Sequence, residues 1–241
     1  PLSVVCSNVY LDKLDKELEQ RGLRFTRYAD DVLIFTKSEM AANRVMKSIS
    51  NWLERKLFLK VNATKTKVVR PTRSKYLGFT FLKNSGEWKV KPTTEKKKKL
   101  KKKLSEYLKR GKAIARPLAV TIKRVNEMVR GWINYFRIGM MKEFVEKFGE
   151  WLRHKMRVIV MKQWKNPKTI YRNLSYLNWK NRNGFSREEI YKVANSRLGW
   201  YRRSGMNVVN FIISKDLLEN RIKDGAGLLN PLSYYLVKVG I

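Results

Sequence analysis

Two adjacent carboxylates, Asp30 and Asp31, are the sharpest chemical feature of this 241-residue sequence. They stand inside RYADDVLIF, with aromatic and β-branched residues on both sides. Residues 24–36 therefore read as two strands joined by a tight turn around Ala-Asp-Asp. Neighbouring strand side chains diverge, but a tight turn can bring two of them to one site. Paired acids in a basic chain suit a divalent cation, and Mg²⁺ prefers hard oxygen ligands completed by substrate phosphates. Ions held in that way stabilise the attacking and leaving oxygens of nucleotidyl transfer. Taken alone, the pair reads first as a polar hairpin turn, because aspartate favours turns. The surrounding sequence has to decide.

The elements that must position the pair change character near Pro92. Before it, helices alternate with strands. Val5, Asn8, Leu11, Leu14 and Leu18 fall at helical spacing over 3–20, and Gly22 can stop that helix. Ser38 reads as the cap of a helix carrying Ala42, Val45, Met46, Ile49, Trp52 and Leu53 on one side. Residues 57–61, 66–70 and 76–82 read as short strands, and Asn84-Ser85-Gly86 as a hairpin turn before Glu87–Val90. After Pro92 nearly everything reads as helix. Leu100, Leu104 and Leu108 give one thin apolar stripe, with Gly111 as a stop. Leu118 to Phe136 and Phe144 to Ile159 repeat apolar residues at spacings of three and four, which predicts a small bundle. Ser186 with Glu189 makes a capping box, Ser214 and Pro231 open two further short helices, and Asn166-Pro167 is a soft boundary. The fold class is α+β, divided at 1–91, 92–166 and 167–241.

Charge points at the partner. There are 54 Lys and Arg against 20 Asp and Glu, a formal net charge of +34. So large an excess repels itself, and a polyanion relieves it; nucleic acid is the commonest. Seven of the eight residues 96–103 are lysine: Lys96, Lys97, Lys98, Lys99, Lys101, Lys102 and Lys103. Phosphate contacts of that kind give affinity without sequence information. Arg130 and Asn134 fall off their helix's apolar stripe and are candidate contacts, whereas Trp132 and Phe136 lie on it and read as core. Arg153, Lys155, Arg157, Lys162 and Lys165 extend the basic character, as do Arg202 and Arg203. Trp179, Trp200 and Tyr201 stand near cations, placed either to stack on bases or to pack a small helical core. The aromatic and aliphatic content argues against disorder, and no apolar run is long enough to span a bilayer. The single cysteine, Cys6, excludes a disulfide framework and reads as a packed thiol; the lone His154 has no partner for zinc. No secretory leader is visible, so the expected location is the cytoplasm or an organelle.

Tyr28-Ala29-Asp30-Asp31 between strands resembles the active-site box of reverse transcriptases, and RYADDVLIF resembles the group II intron-encoded enzymes in particular. The resemblance continues in order through SNVYLDKLDKEL at 7–18, LFLKVNATKTKV at 57–68 and KYLGFTF at 75–81. RGWINYF at 130–136 and MKQWK at 161–165 resemble the maturase-specific thumb, so the likeness covers essentially the whole chain. It implies a partial polymerase palm, a helical thumb and a short DNA-binding tail. It implies Asp30 as a direct ligand of catalytic Mg²⁺, Asp31 as its supporting neighbour, and Lys65 beside the departing pyrophosphate. Tyr28 and Ala29 would line the nucleotide and primer site, and Leu77, Gly78 and Phe79 the primer grip. Implied partners are group II intron RNA, an RNA template with DNA primer, dNTPs and target DNA. A single histidine cannot supply a His-Asn-His nuclease, so the chain resembles the endonuclease-lacking members. The family's fingers and first palm aspartate would precede residue 1, and Val4-Val5 stand where Pro-Leu is usual. The expectation is that this polypeptide alone does not polymerise DNA. The alternative function is that of a non-catalytic RNA-binding splicing factor.

Overall fold

Leucines at positions 11, 14 and 18 recur at helical spacing, and they bury one side of helix α1 (Leu2–Gln20). Gly22, at φ +64, ends it: its N–H reaches the Glu19 carbonyl at 2.8 Å and that of Leu23 the Leu18 carbonyl at 3.0 Å. This double closure satisfies carbonyls that the helix leaves open. The structure is a computed structural model, and it describes residues 2–220 and 227–240. Strands β1 (Arg24–Tyr28) and β2 (Asp31–Phe35) form an antiparallel hairpin, with Tyr28 opposite Asp31 and Phe25 opposite Ile34. Ser38 caps α2 (Glu39–Lys56) by accepting from the Ala41 N–H. Leu11, Leu14 and Leu18 of α1, with Ile49 and Leu57, make a core against which Phe25, Val32, Ile34 and Trp52 pack.

Among residues 2–89, three sequence expectations fail. Residues 57–61 and 66–70 form no strand. Phe58 takes a left-handed φ of +53, and the Asn62 side chain accepts from the Thr64 and Lys65 N–H groups, folding the segment into a turn. β-Propensity expresses itself only where a pleated neighbour exists to pack against. Cys6 is exposed rather than packed, as are Val5 and Val9 around it. The buried stripe of α1 begins only at Leu11.

The expected strand at 76 starts later, because Leu77 and Gly78 are a turn with φ +50 and +85. Tyr76 and Phe79 exchange backbone bonds of 3.0 and 2.8 Å across it. Both central residues are left-handed, the geometry that matches strand twist. Ser85-Gly86, at φ +49 and +84, repeats it between β3 (Phe79–Asn84) and β4 (Glu87–Pro92).

The chain forms two compact units, Pro1–Lys89 and Val90–Ile241. Beyond Pro92 every regular element among its described residues is a helix. Thr93 caps α3 (Thr94–Tyr107), whose Leu100 and Leu104 are buried with the following Leu108. The helix ends before Gly111, which lies inside the short α4 (Arg110–Ala113). Next come α5 (Leu118–Phe136), α6 (Lys142–Gln163) and α7 (Pro167–Asn181). Then α8 (Arg187–Ala194), opened by the expected Ser186–Glu189 capping box, α9 (Trp200–Ser204) and α10 (Asn207–Ile212). α11 (Lys215–Asn220) and α12 (Pro231–Val239) complete the set. Arg221 and Ile222, expected to prolong α11, lie outside the described residues. α6 is the axis: residues 156–161 are buried on every side. α12 packs against α5 and α6, and the Tyr235 hydroxyl donates to the Gly139 carbonyl at 3.0 Å. Buried Asn126 donates to the Gly227 carbonyl and accepts from the Leu229 N–H, both at 2.8 Å.

Candidate active site and nucleic-acid interface

The acidic hairpin owes its position to Arg27. Arg27 lies two residues from Phe25, so the pleat turns it toward α1 and the core. Its guanidinium forks onto Asp15, with Nε 2.7 Å from Oδ1 and Nη2 2.5 Å from Oδ2. Nη1 donates to Asn8 Oδ1 at 2.9 Å and to the Ala29 carbonyl at 3.0 Å. Hydrogen bonding to Asp15 raises the arginine pKa further, so the fork is a permanent charge pair. The clamp holds Ala29 at φ +53, a conformation that costs an alanine about 1 kcal/mol. Asp31 begins the opposite, outer face, which continues through Leu33 and Phe35. Phe35 meets Phe81 edge-on at 6.1 Å, and the Tyr76 hydroxyl donates to the Asp31 carbonyl at 3.4 Å. Tyr28, Ala29, Asp30 and Asp31 thus share one hairpin tip, and the Leu77-Gly78-Phe79 turn follows directly on the tyrosine that reaches it. Lys65 is exposed on the Asn62 turn.

Asp30 and Asp31 are exposed, adjacent, hard oxygen donors, a set suited to Mg²⁺ that keeps water or phosphate in its other positions. Asp15 is engaged by Arg27, and no cluster of three His, Cys, Asp or Glu occurs among the described residues. Replacing Arg27 by alanine should cost about 1–3 kcal/mol in urea unfolding and speed amide exchange at the hairpin tip. Lysine should recover less than half, because it lacks the fork.

The cations of the second unit sort into two groups. Along α6, Phe144, Phe148 and Trp151 stack in a row, ring centroids 5.6 Å apart at each step, and Trp132 of α5 joins at 5.3 Å from Phe144. Lys97 sits 5.1 Å over Phe144, and Lys101 5.1 Å over Trp151; the lysines are about one turn apart on α3 and the rings about two turns apart on α6. Burial and nearby Lys91 lower the Lys97 pKa. Lys96, Lys98, Lys99, Lys102 and Lys103 are exposed. Arg130 and Asn134 are exposed too, the latter accepting from the Tyr234 hydroxyl at 3.0 Å. Lys155 stands 5.3 Å over Tyr201. Lys162 and Lys165 flank an open recess of about 460 Å³ against Trp200, while Arg202 and Arg197 line a second that also takes in Trp200, about 400 Å³. Burial lowers the His154 pKa, so the ring is neutral at pH 7 and pairs with the Tyr201 carbonyl at 3.0 Å.

Two expected contacts are corrected. Arg157 and Arg203 are only 9% and 6% exposed. Arg157 donates to the Ile213 carbonyl at 2.8 Å and the Asn210 carbonyl at 3.4 Å, at the end of α10. Arg203 donates to the Val193 carbonyl at 2.8 Å and also to that of Ala194, at the end of α8. Both guanidiniums are buried against backbone carbonyls and close helix C-termini from inside. Arg153 is half-buried, 4.0 Å from Glu219.

Residues 1–81 match the family model described as reverse transcriptase (RNA-dependent DNA polymerase), and residues 97–179 match the group II intron, maturase-specific domain. The acidic hairpin falls in the first match, and α3 through most of α7 in the second. The chain belongs to the group II intron reverse transcriptase/maturases. Among curated proteins none matches. The maturase-specific match begins at Lys97, inside the lysine helix, and takes in the whole α3–α6 aromatic contact. In this family member a reverse-transcriptase segment and a maturase domain serving group II intron splicing are joined in one polypeptide.

Proposed function

We propose that the maturase unit binds group II intron RNA through the exposed lysines of α3 and the basic recesses beside Trp200, and so assists folding and splicing of that RNA. Neutralising phosphate repulsion favours compact RNA, and this unit supplies the charge on rigid helices. In the intact enzyme the acidic hairpin serves RNA-directed DNA synthesis. Asp30 and Asp31 would hold Mg²⁺, which supplies charge stabilisation to the reacting phosphate oxygens. Lys65 would meet the leaving pyrophosphate as a fixed charge or proton donor, and the Tyr28-Ala29 and Leu77-Gly78-Phe79 turns would border nucleotide and primer. RNA template, DNA primer, dNTPs and target DNA are the remaining partners, in a bacterial cytoplasm or an organelle.

The observation that carries this reading is one chain joining a clamped Asp-Asp hairpin to a lysine helix seated on aromatic rings. A second reading, splicing assistance without polymerisation, is favoured by the capture of Asp15 by Arg27, which leaves two carboxylates at the tip. One experiment serves both. The protein is titrated against its intron RNA and a shuffled RNA of equal length at equal salt, with splicing followed in parallel. Preference for the intron, and splicing retained by Asp30→Ala, support the binding role. Equal affinity for both RNAs would reduce the chain to a general basic binder. Primer extension with Mg²⁺ and dNTPs, abolished in the same variant, would assign catalysis to the chain itself.

A further inference from the structure

One helix of the maturase unit presents a face that the folded protein does not use. α7 buries Ile170 and Leu174. Its outward stripe runs Lys168, Arg172, Tyr176, Trp179 and Lys180, at steps of four, four, three and one residues. All five are exposed, Trp179 at 75% and Tyr176 at 54%. The two rings neighbour each other at 6.2 Å, and Lys180 lies 5.7 Å over Tyr176. α7 contains no Asp or Glu. From Lys168 to Lys180 the stripe is about 18 Å long.

Sequence left Trp179 either to the core or to base stacking, and its exposure removes the first. The core of a protein interface is depleted in lysine, and this face carries Lys168 and Lys180 beside its rings. An anionic membrane would call for a free aliphatic face, and the aliphatic face of α7 is already buried in the protein. What remains is a polyanion that carries flat apolar groups. We propose that Tyr176 and Trp179 form a stacking platform for unpaired bases of a single-stranded nucleic acid, whose phosphates lie along Lys168, Arg172 and Lys180. Rings on the convex face of a helix cannot enter a stacked duplex; they can take bases that are already splayed out. This rests on the nucleic-acid reading above and specifies which strands the second unit accepts.

The test uses the full chain and short 2-aminopurine-labelled oligonucleotides of one sequence, as RNA, as DNA and as duplex, with anionic vesicles as a further arm. Trp179→Ala should weaken single-strand binding about 5- to 100-fold at constant salt and remove the 2-aminopurine signal change. The slope of log affinity against log salt should stay unchanged, since every phosphate remains neutralised. Trp179→Phe should retain most of the affinity. Arg172→Ala should instead lower the slope by about 0.7. The RNA and DNA arms identify which strand is preferred. Equal weakening on duplex and single strand, no weakening with Trp179→Ala, or an effect confined to vesicles would each overturn the platform. Intron binding that stays intact in Trp179→Ala would sink it while leaving the proposed function standing. Failure of the unaltered chain to bind any RNA would sink both.

Discussion

Alanine at Lys96, Lys98, Lys99, Lys102 and Lys103 together is expected to weaken RNA binding about 10²- to 10³-fold near physiological salt. These five are the exposed lysines of α3 that hold no aromatic ring. Every phosphate that is no longer neutralised takes about 0.7 off the salt slope on single strands and about 0.9 on duplex DNA. The whole set should therefore flatten it by up to about 3.5 on an unpaired RNA. Folding should survive, because the stripe that anchors the helix, Leu100, Leu104 and Leu108, is untouched. The pair left in place gives the control. Lys97 and Lys101 lie over Phe144 and Trp151, so their alanine variants should chiefly lose stability, about 0.5–2 kcal/mol each. Their salt slopes should change less. Filter binding across a salt series, with urea unfolding of the same proteins, separates the two groups. An unaltered slope in the fivefold variant would remove α3 from the interface.

What the sequence conveyed depended on how local each cause was. The lysine helix was legible because three leucines at i, i+4 and i+8 fix which side is buried, whatever surrounds it. The Asp-Asp hairpin was legible for the same reason: its strands and turn are neighbours in sequence. Its clamp was not. Arg27 and Asp15 stand 12 residues apart in different elements, and nothing in an arginine-rich sequence marks one arginine as turned inward. The segments around LFLKV and TKVVR show the converse failure. Their composition favours strand, but a left-handed Phe58 and the Asn62 turn fold the chain before an extended run can form. The aromatics divided by burial, which sequence cannot weigh. Trp132 packs half-buried against Phe136 and Phe144, whereas Trp179 stands in solvent.

Arg157 carries the largest expected effect on stability. It is a buried cation with no carboxylate among its hydrogen-bond partners, and burial, with Arg153 nearby, pushes its pKa down to about 10. The folded state thus holds the proton less tightly than the unfolded chain, so the charge itself works against folding at neutral pH. What the residue contributes is donors. The carbonyls of Asn210, in the last turn of α10, and of Ile213, its C-cap, lie where no intrahelical N–H can reach them. Arg157→Ala should therefore cost about 2–4 kcal/mol, from orphaned carbonyls and the cavity the side chain leaves. Arg157→Met separates the two causes. It keeps most of the volume and removes both the charge and the donors. If the donors dominate, methionine recovers only the cavity part and stays well below the parent in urea unfolding, with α10 amides exchanging early. If the buried charge dominates, methionine matches or exceeds the parent, because a well-packed apolar side chain then replaces a costly buried ion. The well-formed 2.8 Å Nε bond to the Ile213 carbonyl favours the first outcome. The same logic applies to Arg203 at the end of α8, and it explains why two arginines in a chain of +34 are withheld from a surface that already has cations to spare.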